Sequence, residues 1–301
     1  MAFNASTVWN IIREAASQWV ENNAFRLSAA LAFYTLLSVA PLFVIVTAVA
    51  GLVFGEEAAS GQLVAQLRGV VGEAGAEVMT TAVEKSDRPR RRSVATVIGV
   101  ITLLFGASGV FGELQGALNT VWQVKPKPGR GVWEFVRDRF LSFGMVLAVG
   151  FLLLVTLVIS TVLTALGGHL EGWVPGLPIL MGVANFAISF LVVATLFALM
   201  FKLLPDVRIK WRYAWFGAVV TAGLFTAGKS LIALYLGKAG VATPYGAAGS
   251  LAAFVIWVYY SGLILFFGAE LTRAVVRHLG GKIEPTPNAQ MADRCDPAPR
   301  V

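Results

Sequence analysis

The stretch that most constrains this chain runs from Arg26 to Phe54, R-L-S-A-A-L-A-F-Y-T-L-L-S-V-A-P-L-F-V-I-V-T-A-V-A-G-L-V-F, with no charge after Arg26. A helix rises about 1.5 Å per residue, so about 20 apolar residues cross a hydrocarbon core of roughly 30 Å. Ser28, Tyr34, Thr35 and Ser38 interrupt its first half, and Pro41 sits near its middle. A proline inside a helix frees a carbonyl and kinks the axis, and in lipid that carbonyl needs a neighbouring helix, a hydroxyl or a wet cavity. The segment reads as a membrane helix with other helices packed around its polar half.

Composition agrees. Only 14% of the 301 residues are charged and 57% are hydrophobic, whereas a soluble domain carries about 25% charged residues. The 26–54 stretch starts too late and is too long for a cleaved leader, and further apolar runs follow it. The single cysteine, Cys295, allows no disulfide within the chain.

Along the chain, residues 1–25 read as an amphipathic interfacial helix. Trp9, Ile12, Ala16, Trp19 and Val20 recur at helical spacing, which suits a helix lying in the membrane interface or packed on the bundle. Residues 26–279 read as the transmembrane domain, with spans at about 27–54, 94–112, 140–166, 177–204, 214–236 and 247–270. The second span continues as a polar helix through 113–122, and Ser108, Gly112 and Gly116 offer a small-residue face for close helix packing. Residues 55–93 read as a helical cap ending in the basic run Arg88–Arg92, and 280–301 as a disordered tail. The expected fold class is therefore all-α: six membrane helices, an amphipathic N-terminal helix and a helical extracytoplasmic cap.

Lysine and arginine set the orientation. With the N-terminus in the cytoplasm, sixteen of the 24 lie on inner segments and seven outside, Lys229 being within a span. A re-entrant first segment broken at Pro41 lowers the inner count, so six spans with both termini cytoplasmic is the better reading.

Four ordered motifs sit on these spans: R-L-S-A-A-L-A-F-Y-T-L-L-S-V-A-P (26–41), L-F-G-A-S-G-V-F-G-E-L-Q-G-A-L-N-T-V-W (104–122), L-L-P-D-V (203–207), and Y-G-A-A-G-S-L (245–251) followed by G-A-E-L (268–271). On them the chain resembles, over roughly residues 20–280, the YihY/BrkB family of bacterial inner-membrane proteins, once labelled ribonuclease BN. The resemblance implies a polytopic helical protein without established catalytic residues, and roles in envelope integrity and in lipid or solute movement. It marks Arg26, Pro41, Gly112, Pro205, Tyr245, Gly246 and Glu270 as motif positions.

The sharpest chemical feature is Lys229, about fifteen residues into the fifth span. A charge near mid-membrane costs about 2.5–3.5 kcal/mol on insertion scales. It reads either as a site for an anionic group or as a lysine snorkelling to the interface. Glu270 ends the sixth span. By helical rise in antiparallel spans it lies on the order of 20 Å from Lys229, so Arg273 or the basic 208–212 turn is its expected partner. Glu113, Gln115 and Asn119, with Ser28, Tyr34, Thr35 and Ser38, either line a cytoplasm-facing cavity or bond between helices.

His169 and His278 are far apart, and no metal-ligand or nucleophile motif is present. No enzyme, metal or cofactor is expected, and no nucleic-acid module is recognisable. The expected partners are membrane lipids, anionic headgroups among them, with a homo-oligomer or an envelope protein left open. The reading is an inner-membrane transporter or lipid-translocating protein for an anionic or amphiphilic molecule. A non-transporting membrane scaffold is the alternative, and a membrane-associated hydrolase a disfavoured third.

Overall fold

The computed structural model describes residues 4–38, 109–128, 177–239 and 249–292; the side chains of 177–179, 229–239, 249–251 and 253 lie outside that description. So do these expected features: the rest of the first span with Pro41, the cap with its basic run, the third span, Tyr245 and Gly246.

Six helices are described: α1 (Ala5–Glu21), α2 (Ala24–Ser38), α3 (109–122), α4 (Leu177–Leu203), α5 (Trp211–Ala239) and α6 (Gly249–His278). Two of them contain stretches long and apolar enough to cross a membrane, Leu180–Leu203 and Phe254–His278. Helix α4 covers nearly the residues of the expected fourth span, 177–204. Helix α6 continues beyond residue 270, the expected end of the sixth span, to His278, and Glu270 and Arg273 are buried and partnered on it.

The described residues are mostly helical, as expected, with one addition. Four short strands, β1 (Val124–Pro126), β2 (Val207–Arg208), β3 (Glu284–Pro285) and β4 (Ala289–Met291), form two antiparallel pairs. Val124 pairs with Met291 and Pro126 with Ala289; Val207 pairs with Pro285 and Arg208 with Glu284. The tail read as disordered from 280 is therefore structured through residue 292. Its composition lacks apolar drive, but its backbone finds edges: Thr286 N–H donates to Asp206 O at 2.9 Å and Ala292 N–H to Gln123 O at 2.8 Å. Gly280, at φ +67°, makes the turn from α6 into this tail, with Gly281 N–H donating to Val276 O in a helix-ending loop.

The chain divides into two compact units. The first comprises Met1–Asn22, Gln115–Ala227 and Ile264–Val301. Its buried side chains include Leu118, Val121, Trp122, Phe201, Phe266 and Val275. Phe197 meets Phe225 edge-on at 5.7 Å, which joins α4 to α5. Helices α5 and α6 interlock through two glycine–threonine pairs. A Cβ at Gly217 would overlap Thr272 and one at Gly268 would overlap Thr221. Each threonine hydroxyl donates to the carbonyl one turn back on its own helix, Thr221 to Gly217 and Thr272 to Gly268. Small residues four apart thus bring the two backbones together, and the polar hydroxyls are satisfied without water.

In the same unit α1 lies antiparallel along the last turns of α6. Arg277 donates to Glu14 at 2.8 Å, Arg273 to Gln18 at 3.5 Å and Asn22 to Glu270 at 2.5 Å, while Trp19 meets Phe267 edge-on at 6.2 Å. The second unit comprises Asn23–Leu114 and Gly228–Leu263. In it, Ala32 of α2 packs with Phe254 and Val258 of α6.

Candidate functional site

The L-L-P-D-V turn lies at the centre of the polar structure in the first unit. Pro205 cannot continue a helix and disfavours helical geometry in the residue before it, so α4 stops at Leu203. A tight turn follows, with Val207 N–H donating to Pro205 O at 2.8 Å. Asp206 stands at its corner. The Asn119 amide donates to Asp206 Oδ2 at 2.9 Å and accepts from the Asp206 N–H at 2.8 Å. Gln115, one turn earlier on α3, donates to Asp206 Oδ1 at 3.4 Å. Asn119 is buried, so its amide is matched by these bonds rather than by water.

Beyond the corner the chain is basic and outward. Arg208, Lys210, Trp211 and Arg212 are exposed, at the end of β2 and the first turn of α5. The Lys202 ammonium closes the loop by donating to Ile209 O and lies 6.0 Å from the Trp211 ring centre. Arg212 lies 4.6 Å from the Tyr213 ring centre and bonds its hydroxyl. Among the described residues the first turn of α5 contains no acidic residue, and Lys210 and Arg212 add to the positive end of the helix dipole. Arg208 alone has an acid in register, Glu284 on β3.

A second polar cluster surrounds Glu270, only 1% exposed. Asn22 donates to its Oε1, and Arg273 stands 3.7 Å from its Oε2. The expected partner Arg273 is present; Asn22 was not foreseen, and its only trace in the sequence is a polar residue at the end of the α1 repeat. Asp206 was likewise seen as a motif letter but not as the partner of Gln115 and Asn119.

The remaining candidates are placed as follows. Ser38 and Thr35 spend their hydroxyls on carbonyls of α2, at 3.0 and 2.7 Å. Ser28 is buried against Gly262, and the Tyr34 ring covers Gly109. Glu113 is half-buried on α3, Arg26 exposed on α2, Gly112 open on α3 and Pro205 buried in its turn. Lys229 lies on α5, with its side chain outside the described residues.

A family model described as virulence factor BrkB matches residues 15–293. A UPF0761 membrane protein of Pseudomonas aeruginosa is 31% identical over 263 residues, 86% of this chain and 61% of that protein. One of Halorhodospira halophila is 32% identical over 189 residues, 62% of this chain and 40% of that protein. One of Rhodospirillum centenum is 27% identical over 277 residues, 91% of this chain and 59% of that protein. The chain thus spans about three fifths of the length of the Pseudomonas relative. No solved structure matches it.

Proposed function

We propose that this chain, which belongs to the virulence factor BrkB family and is a membrane protein, binds an anionic amphiphile at its cytoplasmic face and moves it through or along a helical bundle. The ligand class is a phospholipid-like molecule with an anionic headgroup. The reading places the protein in the bacterial inner membrane with six spans, both termini cytoplasmic and a helical cap outside. It assigns no enzymatic step and no cofactor.

One observation carries the proposal. Arg208, Lys210 and Arg212 are exposed beside Trp211 where the membrane-crossing candidate α4 ends and α5 begins. Basic residues at a membrane surface attract anionic headgroups at about 1 kcal/mol each, and tryptophan suits headgroup depth. The corner held by Asn119 and Asp206 fixes where those side chains emerge. Lys229 is proposed separately, as an intramembrane anion site on its sequence position alone, a charge about fifteen residues into the expected fifth span.

The test is retention of phosphatidylglycerol by the purified protein, measured by native mass spectrometry after detergent exchange. The triple variant Arg208→Gln, Lys210→Gln, Arg212→Gln should bind on the order of 100-fold more weakly, from about 1 kcal/mol per cation. Equal retention by a folded triple variant rejects the headgroup site.

The scaffold reading keeps one specific support. Gln115 and Asn119, expected as path-lining groups, are engaged with Asp206 instead. It requires Lys229→Met to leave function unchanged.

A further inference from the structure

Helix α1 is docked the wrong way round for a helix on a water-washed surface. At about 100° per residue, Ile11, Glu14, Ala15, Gln18 and Asn22 share one side. That side faces α6: Ile11 and Ala15 are buried, and Glu14, Gln18 and Asn22 bond to Arg277, Arg273 and Glu270. Trp9, Ile12, Ala16 and Val20 lie on the opposite side, with Val8 at its flank. They point outward, Trp9 at 66% exposure and Val20 at 59%. Among the described residues nothing covers them. A helix against water exposes a polar stripe; α1 instead turns Trp9, Ile12 and Val20 outward, next to exposed Asn10, Arg13, Ser17 and Glu21, and directs Glu14, Gln18 and Asn22 at α6.

We propose that the outward face of α1 is immersed in the phospholipid bilayer, with α1 acting as a lipid-facing buttress of α6. Three observations select lipid as the occupant. The segment α1 packs against is the charged end of the membrane-crossing candidate Phe254–His278, from Phe267 to Arg277, which sets its far side where that helix would leave the hydrocarbon for the headgroups. In the same unit α4 presents the same chemistry outward through Leu180, Val183, Phe186 and Leu191. Arg13, exposed at the edge of the α1 face, is long enough to reach headgroup phosphates while its stem lies on apolar surface. The polar ladder to α6 then has a physical reason. With no hydrophobic drive between helices in lipid, association rests on close packing and interhelical hydrogen bonds, and the ladder supplies the latter for α1. The inference needs only that the chain is a membrane protein, not that it moves lipid.

The test uses the full chain with Cys295→Ser, reconstituted in phosphatidylethanolamine and phosphatidylglycerol vesicles. A nitroxide is attached at Ile12→Cys or, in a second variant, Ala16→Cys, with Ile11→Cys as the buried reference. The expected result is collision with dissolved oxygen several-fold above collision with a water-soluble nickel chelate at 12 and 16, and little of either at 11. A nickel-dominated signal at both positions places the face in water and overturns the proposal. Low access to both reagents with spin–spin broadening places a second copy there and also overturns it. Trp9 gives an independent readout. Lipids brominated on the acyl chain should quench wild-type fluorescence more than that of Trp9→Phe, and an equal quenched fraction counts against the proposal.

Discussion

Asn119 and Asp206 are joined twice across 87 residues of chain: the amide nitrogen donates to the carboxylate and the amide oxygen accepts the backbone N–H. A single side chain thereby fixes both the orientation of the aspartate and the turn that ends α4. Asp206 O also accepts from Thr286, so the same corner holds the C-terminal segment.

Substituting Asn119→Ala removes both bonds and leaves a partly buried N–H and carboxylate to find other partners. The expected loss is about 1–3 kcal/mol. Thermal unfolding in detergent measures it, and an unchanged midpoint means the corner is held by something else. Asp206→Asn should also destabilise, because its new NH₂ group either faces the Gln115 donor or displaces the Asn119 bond.

Helices α5 and α6 interlock by threonine and glycine, so Gly268→Ala places a methyl group on Thr221. Overpacking of this kind costs about 1–3 kcal/mol. Thr221→Ala in the same chain should recover most of that loss in a double-mutant cycle. Additive losses would show that the two residues do not meet.

Buried Glu270 and Arg273 set a second cycle. Glu270→Ala leaves the guanidinium in a buried site without its carboxylate, at an expected cost of about 3–5 kcal/mol. Glu270→Ala combined with Arg273→Met should be more stable than Glu270→Ala alone. If the double variant is the least stable of the series, the pair is not coupled in this way.

Pairing of the tail makes a kinetic prediction. The amides of Thr286 and Ala292 donate to Asp206 O and Gln123 O, so their hydrogen exchange should be slowed at least about tenfold relative to an unstructured peptide. Exchange at the unstructured rate would restore the disordered-tail reading.

Legibility in the sequence followed the range of the interaction. The α1 period was visible in Trp9, Ile12, Ala16, Trp19 and Val20, because a helical repeat is local, though Trp19 turns to meet Phe267. Which side faces protein was not visible, since it depends on Glu270, Arg273 and Arg277 far along the chain. Asn119 and Gln115 were legible as one helix face, whereas Asp206 joined them only through a long-range turn. Small residues four apart were sought on the second span, yet Gly217–Thr221 and Gly268–Thr272 have the same spacing and are the pairs that interlock. Strands β3 and β4 were missed because Glu284–Pro285 and Ala289–Met291 are too short to alternate, and their pairing comes from backbone groups alone.

Transbilayer movement of fluorescent phosphatidylglycerol and phosphatidylcholine in proteoliposomes decides whether the protein moves an anionic amphiphile. The expected result is protein-dependent movement of the anionic lipid, faster than the zwitterionic one and reduced at least about tenfold by Lys229→Met, equivalent to about 1.4 kcal/mol. No movement of either lipid by folded, inserted protein would contradict it, as would wild-type rates in Lys229→Met for the role of that lysine.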